Sequence, residues 1–195
     1  MHHRYLARSR ARSLSGFTLL EVLVAILVVS LGLLGLAKME ALAISNTQVS
    51  SSRSLIALQA SSLGAAMQGN KGYWAAGVAP GAFSTAGAVV TDGTGVLSQT
   101  VTTCVSTTTP TAPVCTPAQL AAYDLQSWAT RMAAQFPSYT ANFTCNNVAG
   151  APVSCTINIS WSEKYVALNR TTATGSAASG GAQTATQSYS LYVNP

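Results

Sequence analysis

The sequence predicts an α+β chain: one long N-terminal helix, membrane-spanning in its first half and amphipathic in its second, packed on a small antiparallel sheet with a second helix. Three observations predict it. The 21-residue run from Phe17 to Ala37 is apolar except for Glu21, Thr18, Ser30 and two glycines. No proline occurs before Pro80, so nothing obligatorily breaks a helix between Phe17 and the Gly69-Asn70-Lys71-Gly72 cluster. Late in the chain, Val153, Cys155, Ile157, Ile159 and Trp161 alternate with polar residues at period two, the pattern of a half-buried strand. The expected segments are a basic N-terminal stretch over 1–16, the long helix over 17–70 with its apolar part at 17–37, and a globular domain over 71–195.

The apolar run comes first. At 1.5 Å rise per residue it forms a helix roughly 31 Å long, about the thickness of a bilayer's hydrocarbon core. A cleaved secretory signal has a shorter apolar core and a small-x-small exit, whereas here Lys38-Met39-Glu40 follows directly. The charge balance fits an anchor. The 195 residues include 10 Lys and Arg against 5 Asp and Glu, yet Arg4, Arg8, Arg10 and Arg12 all precede Gly16 and leave six basic and five acidic residues behind them. That asymmetry places the N-terminus in the cytoplasm and the domain beyond Ala37 on the far side of the membrane. Six scattered cations also make a poor phosphate footprint, so a nucleic-acid partner is not expected. Charged residues are only 8% of the chain, against about 25% in ordinary soluble domains, which argues against a cytosolic enzyme.

Glu21 stands out, because an acid within a spanning helix costs about 2.5 to 3.5 kcal/mol at the helix centre. One explanation is local. Thr18-x-x-Glu21 matches a capping box, in which the glutamate returns to the N-cap amide. The other is functional, since an intramembrane carboxylate calls for a partner.

The residues from Ser15 to Ala25, Ser-Gly-Phe-Thr-Leu-Leu-Glu-Val-Leu-Val-Ala, resemble the leader junction of type IV prepilins and pseudopilins. These carry a basic leader, a glycine, then Phe-Thr-Leu-x-Glu opening an apolar helix. The resemblance implies a leader peptide over residues 1–16 and cleavage between Gly16 and Phe17 by a membrane-embedded prepilin peptidase. Phe17 then becomes the N-methylated first residue. It also implies that Glu21 attracts the N-terminal amine of a neighbouring subunit during filament assembly. Such a pairing is physically sensible, because a carboxylate and an ammonium in apolar surroundings are each costly alone and far less so together.

The second half of the long helix shows Val49, Ile56 and Leu63, and Ser52 or Arg53, Ala60 and Met67, at spacings of one face. In pilins the corresponding half packs on a globular sheet; a Ser-rich linker helix over 45–54 is the plainer alternative. Many major pilins carry a proline shortly beyond the apolar half, and here that region reads Gly35-Leu36-Ala37-Lys38. Its absence favours a minor pilin or a pseudopilin.

Residues 73–103 are rich in Ala, Gly, Thr and Val and read as a long loop with one strand near Val96 to Val101. A Pro- and Thr-rich stretch separates Cys104 from Cys115. A second helix starts at Thr116-Pro117, with Thr as N-cap, Pro at the first helical position and Gln119 completing a capping box, and runs to Phe136. Ala121, Leu125, Trp128, Met132 and Phe136 share its core face. The wording Ala-Gln-Leu-Ala-Ala-Tyr-Asp-Leu-x-x-Trp after a Cys, together with Ser52-Arg53-Ser54 and Met67-Gln-Gly-Asn70, is similar to the type IV pilus modification protein family, the PilV-type minor pilins.

Residues 141–148 form a partner for the period-two strand across Ala149-Gly150-Ala151-Pro152. Symmetry about Gly150 sets Cys145 opposite Cys155 and Phe143 opposite Ile157, within disulfide reach. This favours Cys145–Cys155 and leaves Cys104–Cys115, although four cysteines allow three pairings. Residues 172–184 read as a Ser/Ala/Gly/Thr loop and Ser188 to Val193 as a last strand. With all four cysteines beyond the membrane, a disulfide role fits an oxidising periplasm. Zinc fails on ligand grammar: there is no Cys-x-x-Cys, and the two histidines, His2 and His3, lie in the leader.

The mature chain thus lacks histidine, which removes Ser-His-Asp and Cys-His arrangements, and no phosphate loop or dinucleotide motif is present. No enzyme activity, cofactor or metal is expected. Asn142, Asn158 and Asn169 begin Asn-x-Ser/Thr triplets, which a Ser/Thr-rich chain produces by chance. The expected role is a minor pilin that enters or primes a type IV pilus, supporting pilus biogenesis, twitching motility and adhesion. The alternative is a minor pseudopilin of a type II secretion system. Implied partners are the prepilin peptidase, other minor pilins, the major pilin and the inner-membrane assembly platform. The implied location is the inner membrane, single-pass, and then the pilus.

Overall fold

The computed structural model describes residues 16–101, 104, 115–148, 151–165 and 183–195. The leader to Ser15, the turn at Gly150, Asn169, most of the Cys104–Cys115 stretch and nearly all of the expected 172–184 loop lie outside the described residues. The chain divides into two compact units, residues 1–44 and 45–195.

Helix α1 runs Leu19–Gly69. Its start is fixed locally, since the Thr18 hydroxyl accepts from the Glu21 amide at 3.2 Å and the Thr18 carbonyl from the Val22 amide. Residues 19–37 carry an almost uninterrupted apolar surface: Leu20, Leu23, Leu27, Leu31 and Leu34 are all exposed. An 18-residue window in α1 has a mean hydropathy of 2.7 with none of it buried, long and apolar enough to cross a membrane.

In the second unit α1 turns amphipathic. Ile56, Ala60, Leu63, Gly64 and Met67 are buried, whereas Val49 and Ser52 are half-buried and Arg53 is exposed. Burial therefore begins at Ile56. Helix α2, Pro117–Gln135, opens with the expected capping box: the Thr116 hydroxyl accepts from the Gln119 amide, and the Gln119 side chain accepts from the Thr116 amide. It buries Ala121, Ala122, Leu125, Trp128, Ala129 and Met132, while Phe136 caps its end and is partly buried. The two helices are antiparallel. The Trp128 indole donates to the Gln59 carbonyl at 2.9 Å near one end, and the Asn70 amide side chain donates to the Pro117 carbonyl at 2.7 Å near the other.

Five antiparallel strands form one sheet in the order β2-β1-β3-β4-β5: β1 Ala82–Ala86, β2 Val89–Asp92, β3 Thr140–Asn146, β4 Ser154–Tyr165 and β5 Gln183–Val193. The β3–β4 register pairs Cys145 with Cys155 and Phe143 with Ile157, as symmetry about Gly150 predicts. Inward residues Phe83, Phe143, Ile157, Ile159, Trp161 and Val193 meet the buried faces of both helices in one core. Phe83 and Phe143 stack at 4.5 Å between centroids, and Trp128 meets Phe143 edge-on at 6.0 Å.

Three expectations need correction. Residues 82–92 are a hairpin rather than loop, and Val96 to Val101 form no strand. The hairpin closes through Gly87-Ala88, with Gly87 at φ 56°, the first loop position where a type II′ turn needs a positive angle. Val96 to Val101 fails as a strand because side chains take its backbone groups. The Asp92 carboxylate accepts from the Leu97 amide at 2.8 Å, and the Gln126 amide donates to the carbonyls of Leu97 and Gln99. The last strand also starts five residues earlier than expected. β4 continues to Tyr165 and provides Gln183 with a partner.

Candidate functional site

Gly16, Phe17 and Glu21 lie together at the N-terminal edge of the apolar helix. Gly16 precedes the helix, and a Cβ added there would meet nothing within 4 Å. The folded chain itself thus imposes no need for glycine at this position. Phe17 is 82% exposed, the Glu21 carboxylate is exposed, and it has no hydrogen-bond or ion-pair partner among the described residues. Only the Thr18 half of the expected capping box is present, because the Glu21 side chain does not return to the Thr18 amide. Local capping therefore does not account for the carboxylate. Gly32 and Gly35, farther along, also have open space around them.

In the second unit Cys145 is bonded to Cys155 and Cys104 to Cys115, with Cα separations of 4.0 and 5.3 Å. No cysteine is free. The first bond staples β3 to β4 inside the core, where Cys155 is fully buried. The second ties the stretch before α2 to the N-cap region of that helix.

One polar centre was missed in the sequence. Glu163 is 7% exposed on β4 and accepts hydrogen bonds from the Ser52 hydroxyl at 3.1 Å and the Trp161 indole at 2.9 Å. Arg53 pairs with its other oxygen at 3.3 Å and reaches Gln187 of β5 at 3.0 Å. The signal was available. The inward positions of β4 are odd-numbered through Trp161, so the next one is Glu163, and an acid at an inward position requires partners.

Four further groups are perturbed by their surroundings, among them Tyr139, which burial raises. Burial pushes Asp92 up, but hydrogen bonds from the amides of Leu97 and Thr94 and from the Thr94 hydroxyl outweigh it and hold the carboxyl below its ordinary value. Burial raises Asp124, with Arg131 acting against it. Burial, assisted by the Asp92 charge, pushes the Tyr73 hydroxyl up to about 12, and that buried hydroxyl has no hydrogen-bond partner among the described residues. Among the described residues no three of His, Cys, Asp and Glu come together as a metal site.

A long helix, apolar then amphipathic, seated on a small five-stranded antiparallel sheet beside a second helix is a pilin-like architecture. Residues 12–37 match the prokaryotic N-terminal methylation motif, the type IV prepilin leader, which marks a type IV pilin-like protein of a pilus or pseudopilus. The motif belongs to structural subunits and implies processing by prepilin peptidase and handling by a pilus-type assembly machinery. No curated protein and no solved structure shows significant similarity to the chain.

Proposed function

We propose that the chain is a minor pilin of the PilV type, made as a prepilin, anchored in the inner membrane with its C-terminal domain periplasmic, and incorporated into or priming a type IV pilus. The observation that carries the pilin part of this reading is the leader motif joined to an apolar helix whose one acid, Glu21, has no partner among the described residues; the minor-pilin part rests on the resemblance of the α2 block and of residues 52–54 and 67–70 to the PilV-type family. Prepilin peptidase cuts between Gly16 and Phe17 and methylates Phe17, so that 1–16 is leader, 17–70 the assembly helix and 71–195 the globular domain. Glu21 then receives the N-terminal amine of a neighbouring subunit. Its partners are other minor pilins, the major pilin and the assembly platform, and its roles are pilus biogenesis, twitching motility and adhesion.

The rival is a minor pseudopilin of a type II secretion system. The block of two disulfides and four core aromatics, Trp128, Tyr139, Phe143 and Trp161, around and after α2 supports the pilus reading. Deletion of the gene is the deciding experiment. Lost twitching with intact exoprotein secretion supports the minor pilin; lost secretion with intact twitching overturns it. Mass spectrometry of the mature chain should begin at an N-methylated Phe17, and a chain starting at Met1 rejects the processing. Glu21→Ala should leave membrane insertion unchanged and lower recovery in sheared filaments.

A further inference from the structure

The seam between α1 and α2 carries a crevice of about 110 Å³ lined by Ser62, Leu63, Ala66, Asp124, Trp128 and Arg131, among others. Its floor and rim are unusual for this chain. The domain has very few charges, yet two of them stand on this one groove, seven residues and so about 10 Å apart along α2. The Arg131 charge acts on the Asp124 carboxyl along the helix without forming an ion pair with it. Asp124 is half-buried and has no hydrogen-bond or ion-pair partner among the described residues, and Arg131 lies two turns away and exposed. Between them sits Ser127, facing Ser62 and Ala66 of α1, so the groove is walled by small side chains that admit a close neighbour. On the α1 wall the stripe continues through Gln59 to Leu55, which is 41% exposed, and Leu58 beside it is 66% exposed. A withdrawn carboxylate beside indole and phenol rings suits an ammonium or guanidinium group. The exposed leucines suit an apolar residue on the same partner.

We propose that this groove is a docking site for a helix of a neighbouring filament subunit, which presents a Lys or Arg to Asp124 and an acid to Arg131 two turns along, with an apolar residue against Leu55 and Leu58. Charge complementarity selects this occupant. A free cation would be repelled by Arg131, whereas a helix with opposite charges two turns apart meets both groups. The proposal rests on the pilin-like reading, since it needs a filament neighbour.

The test places a photo-crosslinking benzophenone amino acid at Ser127 of the full chain in cells that assemble filaments. Crosslinked peptides are mapped in sheared filaments. The expected adduct is to a helical peptide of another filament subunit with a basic and an acidic residue about seven positions apart. Asp124→Asn should lower adduct yield about tenfold, as loss of one close charge pair across an interface does, while Asp124→Glu retains it. Exchanging the mapped base for Glu in an Asp124→Lys background should restore it. An adduct to lipid only, an adduct undiminished by Asp124→Asn, or no adduct in filaments that contain the chain overturns the docking site. Absence of the chain from filaments instead overturns the pilin reading, and this site with it. Disulfide formation and membrane level, read in the same cells, identify any variant that merely fails to fold.

Discussion

The indole of Trp161 donates to the carboxylate of Glu163, its neighbour two residues along the same face of β4, at 2.9 Å. Ser52 and Arg53 of α1 complete the arrangement, so one buried acid joins the outer turn of the helix to the sheet just before apolar burial begins at Ile56.

Removing that acid strands a buried donor. Glu163→Ala leaves the buried Trp161 indole without an acceptor, while the Ser52 hydroxyl keeps the Val49 carbonyl at 3.0 Å, and should cost about 1.5 to 3 kcal/mol, the range for hydrogen bonds to a charged group. Glu163→Gln keeps an acceptor and should cost less. Arg53→Ala should cost under about 1 kcal/mol, because its side chain is 54% exposed and the pair is largely screened. Thermal unfolding of the detergent-solubilised chain, followed by near-UV circular dichroism, gives the order. Equal losses for Arg53→Ala and Glu163→Ala would show that the ion pair, not the buried hydrogen bonds, holds the helix here.

The parts of the fold that were legible in the sequence are those with a local physical cause. The leader junction, the α2 capping box, and the period-two alternation around Gly150 each state their geometry within ten residues or so, and the Cys145–Cys155 register follows from them. The misread region, 73–101, draws its structure from distant groups. Its hairpin is an edge addition whose β1 pairs with β3, nearly sixty residues away, and its Val96 to Val101 stretch is held by Gln126 of α2. Short runs of Ala, Ser and Thr carry too little hydrophobic pattern to declare such pairing. At the candidate site, Gly16, Phe17 and Glu21 are singled out by the resemblance of residues 15–25 to a prepilin leader junction. Glu163 was not singled out, although the alternation continued through it. Asp124 and Arg131 were placed on a helix, but their meeting with Ser62 and Ala66 depends on how α1 crosses α2.

The two disulfides should differ in worth. They close loops of nearly equal length, with sequence separations of 10 and 11, so restriction of the unfolded chain contributes about 2 to 3 kcal/mol to each. Cys145 and Cys155 are also core residues, while Cys104 and Cys115 are only half-buried. The Cys145→Ser/Cys155→Ser double variant adds buried, poorly paired hydroxyls and should be the less stable of the two pairs. Comparison of both double variants by thermal unfolding checks the order, and the reverse order would place the second staple in the core.

Acid should weaken the 92–99 loop first. Asp92 has a folded-state pKa below its ordinary value, so its contribution is present at neutral pH and is lost as pH falls from the ordinary carboxylate value through the lower folded value. Asp92→Asn should remove that part of the pH dependence and loosen Leu97, which is fully buried. Asp124 works in the opposite sense. Its pKa is raised, so the folded state takes up its proton first and stability from this group is gained as pH falls and lost as pH rises through the folded value. Asp124→Asn should therefore raise the stability of the isolated chain at neutral pH while lowering filament docking, and the Tm of both variants from pH 3 to 7 separates the two slopes.

Gly64 reports how closely α1 approaches β5. A Cβ at this buried helical position would lie 3.3 Å from Val193 Cγ2 and 3.5 Å from Leu191 Cδ2. Gly64→Ala gains up to about 1 kcal/mol of helix propensity and presses only on the ends of two side chains of an edge strand, which can move by a few tenths of an ångström. Its net effect should lie within about 1 kcal/mol of zero. Gly64→Leu has no such outlet, because the larger side chain must displace β5 or the helix, and overpacking of this kind costs about 1 to 3 kcal/mol. The measurement is the Tm of the two variants beside the unsubstituted chain. A leucine variant as stable as the parent would mean that the helix and the last strand stand farther apart than the contacts of Val193 and Leu191 require.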